Sequence, residues 1–180
     1  MVLSYDDAGL FFSLFLPLLA FANTKYKVND LENIVLNKSR EYAKLKEIAG
    51  VIWNNVSCID EYIELRGDSL SEEHREILRS WKKCVSGRFI IERHLKSGSV
   101  FLGENNDVYL VKGITSSFEE MFGYQKPPVM VDAHIIPFKD VLITDGLFNS
   151  YGVSFGSGYK SMFRETYMTA KKAGKIITSL

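Results

Sequence analysis

"EEHREILRSWKKCVSGRFIIERHLKSGSVFL", residues 72–102, changes its period in the middle. Through Val85 the apolar residues Ile77, Leu78, Trp81, Cys84 and Val85 recur at spacings that place them on one face of a helix. Beyond Ser86-Gly87 the apolar residues come in short, β-rich runs separated by turn residues. A chain that is helical on one side of such a switch and strand-rich on the other belongs to the α+β class. The expected architecture is a helical region over 1–86 packed on an antiparallel β-sheet or small barrel over 87–180, with a C-terminal helix. No Pro- or Ser-rich linker marks the boundary, so the two regions are expected to pack as one unit.

Four or five short helices are expected over residues 6–85, as a helical bundle. A helix from Ser57 carries Ile59, Tyr62 and Ile63 inward and stops at Gly67; Ser69 with Glu72 has the spacing of a capping box for the next. Farther back, Asn29 or Asp30 is the expected N-cap of a helix whose stripe is Tyr42, Leu45, Ile48, Ala49, Ile52 and Trp53. "LFFSLFLPLLAFA", Leu10 to Ala22, is uncharged and ends in an A-x-A-like tripeptide, as a signal peptide would. The "MVLSYDD" before it holds two acids and no base, the wrong sign for a secretory leader, and thirteen residues are too few to span a bilayer. The stretch is read as a buried helix capped near Asp6 or Asp7 and bent or ended around Pro17, in a cytoplasmic protein with no membrane partner.

On the other side of the switch, "RFIIERHL", "SVFL", "DVYLVKG", "PVMVDAHIIPF", "VLITDGLF" and "YGVSF" read as five or six strands. "SSFEEMFGYQKPP" has room for one helical turn. In "VMVDAHIIPFKDVLITDG", residues 129–146, a two-residue loop at Lys139 and Asp140 sets Phe138 opposite Val141, Ile136 opposite Ile143 and His134 opposite Asp145. Tyr159, Met162, Phe163, Thr166, Tyr167 and Ala170 form the stripe of a closing helix, Lys171 and Lys172 suit its C-terminal dipole, and "KIITSL" can add a last strand.

At 180 residues and 46% hydrophobic, the chain can bury a proper core. Its 22 basic and 22 acidic residues cancel, so no global field is available for nucleic acid or an acidic membrane. The charges are segregated: residues 60–76 hold seven acids against two arginines, residues 79–96 six bases against one acid, and the last thirty residues five bases against Glu165. Intramolecular complementarity between neighbouring elements is the plain explanation, a basic interaction surface the functional one. Two cysteines, Cys58 and Cys84, in no metal-binding spacing argue against a disulfide scaffold or a structural zinc site.

Three blocks, "SWKKCVSGRFIIERHLKSGSVFL", "PPVMVDAHIIPFKDVLITDGL" and "YGVSFGSGYKSMFRETYMTAKKAGKIITSL", resemble the C-terminal part of a group of uncharacterised bacterial proteins. Some of that group continue into a Cys-rich zinc-binding tail of the SEC-C type. The resemblance covers roughly the last hundred residues and implies a bacterial cytoplasmic module. It implies no catalytic residue, and the zinc tail does not carry over because no Cys follows Cys84.

Four constellations could carry chemistry. Asp132, His134 and Asp145 share one face of the hairpin and are candidates for a divalent-metal or acid/base site, with a cross-strand His/Asp pair as the structural alternative. Gly156, Ser157, Gly158 and Lys160 form a glycine-rich loop entering a helix, a candidate anion site; Tyr159 before the lysine departs from the phosphate-loop pattern, and Ser157 reads as an N-cap. His94 is expected to point away from the core as a solvated strand histidine, while Leu95 faces it, and His74 is read the same way on a helix surface. Arg88, Arg93, Lys96 and Tyr109 are candidates for a basic, aromatic surface of the kind small barrels offer single strands. The leading expectation is a non-enzymatic protein-interaction or regulatory module whose partner is another protein, with no cofactor. Nucleic-acid binding through residues 79–96 and the basic C-terminal helix, and a metal-assisted hydrolase on Asp132, His134 and Asp145, are the alternatives.

Overall fold

The computed structural model describes residues 1–32, 34, 41–123 and 125–180. They divide into two compact units, Tyr5–Cys84 and a second made of Met1–Ser4 with Val85–Leu180. Among the described residues there are six α-helices and a seven-stranded mixed sheet, an α+β fold.

The first unit holds α1 (Tyr5–Tyr26), α2 (Tyr42–Asn54), α3 (Ser57–Arg66) and α4 (Glu72–Ser80), with single 3-10 turns at Gly67–Ser69 and Trp81–Lys83. α1 runs through Pro17 and does not end there. Proline removes one helix hydrogen bond, yet Leu14, Phe15, Leu18, Leu19 and Ala22 on either side of it are buried. Each large apolar side chain so buried contributes about 1.5–3 kcal/mol, enough together to hold the helix continuous. By length and composition α1 could also cross a membrane. In this fold Phe11 and Phe15 are internal: Phe11 lies 5.1 Å from Phe15 and 5.6 Å from Trp81, and Phe15 stacks on Trp53 at 6.1 Å.

Two helix starts differ from the sequence reading. Asn29 and Asp30 begin no helix; Asn29 Nδ2 donates to Lys44 O at 3.0 Å and its backbone N–H donates to the buried Asn23, fixing the turn after α1. Residues 35–40, through which the longer helix was expected to run, lie outside the described residues. At α4 the cap is Ser71, whose hydroxyl accepts from His74 N at 3.2 Å. Ser69 is taken by the preceding turn, donating to Arg66 O at 2.6 Å.

The second unit holds β1 (Val85–Leu95), β2 (Gly98–Leu102), β3 (Val108–Lys112), α5 (Phe118–Phe122), β4 (Val129–Phe138), β5 (Val141–Thr144), β6 (Asn149–Tyr151), α6 (Ser157–Lys172) and β7 (Ile176–Ile177). The sheet runs β1-β2-β3-β5-β4-β6, and β1 pairs with β4 as well. The first half of β1, through Ile91, lies on β4 while Ile90 to Leu95 lie on β2. The sheet is mixed where an antiparallel one was expected: β3 pairs in parallel with β5 and with β7. Parallel pairing needs a long crossover, which the connection through α5 and β4 supplies to β5. A reciprocal capping box between Ser117 and Glu120 starts α5.

The 129–146 hairpin forms in the expected register, Phe138 with Val141, Ile136 with Ile143 and Ile135 with Thr144. Lys139 takes the positive φ, 51°, that a two-residue loop needs at its first position.

A bulge in β1 between Ile91 and Arg93 resets the alternation of side chains. Phe89 and Ile91 enter a cluster with Phe101, Val111, Val131 and Leu142. Beyond the bulge, Leu95 joins Ile90 on the opposite face, against Val100, Leu102 and Tyr167 of α6. Every residue of β2 is buried as a result, one face in the first cluster and the other beneath α6.

Candidate functional site

The hairpin's polar residues lie on strands whose pairing sets Ser86 opposite His134 and Arg88 opposite Asp132 on β4. On the far side of β4, Asp132 is paired with Asn149. His134 Nδ1 is 2.8 Å from Ser86 Oγ. Asp132 accepts from Arg88 Nε at 3.1 Å and from the Tyr151 hydroxyl, and the Arg88 guanidinium stands 5.0 Å over the Tyr151 ring. Bonding to Asp132 raises Arg88 further above its usual range and keeps it charged.

Asp145 behaves differently. Its backbone N–H donates to His134 O at 3.3 Å, as the register requires. Its side chain is fully buried beyond the end of β5 and accepts from Leu147 N at 2.9 Å, closing the turn there. No three His, Cys, Asp or Glu side chains among the described residues form a metal-holding group. A serine hydroxyl beside an imidazole is the first contact of a nucleophilic pair. Here it joins β1 to β4 on an open strand face.

At the glycine-rich loop the helix cap is Gly156, not Ser157, so no side chain caps the first turn of α6. Gly156, Ser157, Gly158 and Lys160 are all exposed, and the Lys160 N–H is already used by Gly156 O at 3.1 Å.

At least four of the six bases in 79–96 are paired with acids. Arg79 pairs with Glu72 at 3.0 Å, Lys82 with Asp60 at 2.6 Å, Arg88 with Asp132, and Arg93 with Glu92. Tyr109, the aromatic member of that candidate surface, is buried with its ring 6.0 Å from Phe89. The charge complementarity read from the sequence thus operates within each unit, and Tyr109 belongs to the core.

The bulge also corrects His94, which is half-buried rather than solvated. Its Nδ1 lies 2.8 Å from Ser99 Oγ, itself buried on β2. Burial pushes the imidazole below its ordinary value, opposed by the carboxylate of Glu119 and reinforced by the amino terminus. A histidine held neutral supports the fold fully above its unfolded value of 6.5 and loses that contribution as pH falls below it. The melting temperature is therefore expected to drop as pH is lowered from about 6.5 to 5, before depressed carboxylates such as Glu61 and Glu120 titrate. His94→Gln should flatten that part of the profile; an unchanged slope in melts of the variant would show that His94 is not the group responsible.

Two clusters escaped the sequence reading. In the helical unit, Glu61 accepts from Lys25 Nζ at 2.5 Å and from the Tyr26 hydroxyl at 2.9 Å, bracing α1 on α3. Burial and the bond to Glu61 push Tyr26 up to about 12, and burial pushes the Cys58 thiol up as well. A protonated phenol, a protonated thiol and an ion-paired carboxylate make a structural brace with no activated nucleophile.

The other cluster is at the start of α6. Phe155, Tyr159 and Phe163 form an aromatic group with ring centroids 5.2 to 6.3 Å apart. Val153, Tyr159 and Met162 are 45%, 61% and 49% exposed. Between this group and the strands lies a groove of about 290 Å³, lined by Ile90, Leu102, Met130, Phe155, Tyr159 and Phe163, with Arg88 and Glu104 also contributing. No protein-family model, curated protein or solved structure matches the chain.

Proposed function

We propose that the chain is a non-enzymatic, cytoplasmic protein-interaction module that takes an apolar segment of a partner into the groove beside the first half of α6. The observation that carries this reading is the exposure of Tyr159 and Met162, which line a concave, mostly apolar surface. Monomeric proteins seldom leave a contiguous patch of that kind open to water unless something binds there.

The topology supports the same reading. Pairings that pass β1-β2-β3-β5-β4 and return to β1 support a reading of the sheet as a small barrel, and in five-stranded Greek-key barrels the face of strands 2 and 3 is where oligonucleotides and oligosaccharides bind. In this chain α6 lies on that face through Tyr167 and Phe163. With the strand face covered and Arg79, Lys82, Arg88 and Arg93 paired with acids, a protein partner at the groove is favoured over a single strand.

Selection of a randomised peptide display library on the purified chain tests the reading. Sequences with large apolar anchors are expected, and Tyr159→Ser with Met162→Ser should lower their affinity by about 100-fold, in the range of two lost hot-spot side chains. Selected peptides that bind the double variant as well as the parent chain would sink the proposal.

A further inference from the structure

We infer that the segment taken up at this groove binds in extended form, as an added strand on the open edge of β1, with alternate side chains entering the groove beside Tyr159 and Met162. The inference rests on the proposed groove and names the conformation of its occupant.

The strand pairing carries it. β1 has β4 beside it from Val85 to Ile91, whereas its pairing with β2 begins only at Ile90. From Val85 to Phe89 the edge turned away from β4 has no strand beside it among the described residues. Successive residues of an antiparallel ladder direct their backbone groups to opposite edges, so one of the neighbours Gly87 and Arg88 presents both N–H and C=O to that open edge. No turn or loop among the described residues bonds to the backbone of either. Both are exposed, and a Cβ built at Gly87 would have no atom within 4 Å. Folded proteins usually blunt such an edge with Lys, Pro or a bulge. Here "VSGRF", residues 85–89, holds no Lys or Pro, the bulge of β1 comes after Ile91, and the one charge, on Arg88, is held by Asp132 of β4.

The space beside the edge selects the occupant. β2 turns away at Gly103, whose N–H donates to Asp107 O at 2.9 Å and closes the loop to β3. Between that loop and β1 lies a notch of about 140 Å³, lined by Val85, Gly87, Phe89, Gly103, Asn105 and Tyr109. Arg88, Gly103 and Glu104 line both this notch and the apolar groove, so the two spaces adjoin. A strand stands about 4.8 Å from its neighbour and brings its own N–H and C=O to the edge. A helix, about 10 Å across and with its backbone bonds already made, does neither. A second copy would have to seat a whole sheet against the exposed loop of Glu104, Asn105 and Asn106, where a single extended segment needs only the notch. Side chains of an added strand alternate: those on the face shared by Arg88 and Ile90 reach the groove, and the others meet Phe89 and Tyr109. Main-chain bonds supply affinity and the two apolar linings supply selection, favouring apolar residues along the segment.

Peptides from the display selection decide the matter with the full chain. N-methylation at each peptide position in turn, read by fluorescence anisotropy, is expected to lower affinity by about tenfold or more at every second position of the paired stretch and by less than about threefold between them. Hydrogen exchange by NMR should show the amide of Gly87 or of Arg88 slowed by about tenfold or more when peptide is bound, while the other, already turned toward β4, changes little. N-methylation losses without alternation, or helical circular dichroism gained by the bound peptide, with binding still lost in Tyr159→Ser with Met162→Ser, would overturn the added strand and leave the groove as an interaction site. Peptide binding indifferent to that double variant would remove the groove itself. Protection of Gly87 or Arg88 that grows with protein concentration in the absence of peptide, together with self-association in light scattering, would assign the edge to a second copy and overturn the inference.

Discussion

Tyr167→Ala is expected to lower the stability of the sheet-bearing unit by about 3–5 kcal/mol, the range for removing a large buried aromatic ring. Tyr167 is 2% exposed and packs against Val100, Leu102 and Val108, so its ring is the main plug between α6 and the sheet. Arg93 stacks its guanidinium 4.3 Å above that ring and is anchored in turn by Glu92. A partly desolvated cation over an aromatic face adds about 1–2 kcal/mol that alanine also forfeits. Tyr167→Phe keeps ring and stacking and should stay within about 1 kcal/mol of the parent. Urea denaturation of the three proteins measures the difference. The alanine variant should also bind a hydrophobic dye, because the outward side chains of β2 lose their cover. A loss below about 1 kcal/mol for Tyr167→Ala would mean that α6 is held elsewhere.

The sequence pattern made the class of the fold legible, and the reason is visible in particular elements. Ile77, Leu78 and Trp81 are buried along the end of the helical unit, and the 129–146 hairpin pairs as its apolar residues demand. Strand order was not legible, because it depends on one strand, β1, being long enough to pair with β4 by its first half and β2 by its second. No local pattern announces such sharing. The bulge after Ile91 was equally silent: alternation assigns Leu95 to the core and His94 to solvent, and one extra residue reverses both. Helix starts failed where several capping residues stood close together, as at Ser69 and Ser71, since only the path of the chain decides which one a helix uses.

For the candidate site, side-chain alternation explains both what was legible and what was not. His134 and Asp145 do face each other through the backbone. Alternation holds only while a strand continues, and the ladder of β5 stops at Thr144. Beyond it the buried Asp145 carboxylate accepts from the Leu147 N–H, and among the described residues no three-ligand group forms. The partners of Asp132 and His134 come from β1 and β6, more than fifteen residues away in sequence, and short-range spacing does not reach them. The groove at α6 was half-legible: its apolar residues stood in the sequence, and only the fold shows which of them the sheet leaves uncovered.

Gly113→Ala is expected to cost about 3 kcal/mol, the upper part of the range for forcing an extra methyl into filled space. A Cβ at this position would lie 2.0 Å from Ser116 O and 3.0 Å from Ser116 C, and both are backbone atoms that no rotamer change can move. Nothing about the residue's φ demands glycine; the requirement is room where the chain leaves β3 and folds back on itself before Ser117 caps α5. The same peptide units hold the first residues of the chain, since Leu3 N donates to Gly113 O at 3.0 Å and Gly113 N donates to Met1 O at 3.2 Å. Relief of the clash must therefore displace either the α5 turn, with Phe118 against Phe101 at 5.0 Å, or the Met1–Ser4 segment. Gly87→Ala provides the contrast: it adds the same methyl to β1 with no atom within 4 Å, so its effect should stay within about 0.5 kcal/mol. Urea denaturation compares the two variants, and hydrogen exchange at the amides of residues 113–120 shows which contact yields. Equal stability of the two alanine variants would mean that the close approach at Ser116 is not a constraint on the fold, and that the segment from β3 to α5 tolerates side chains that its geometry here excludes.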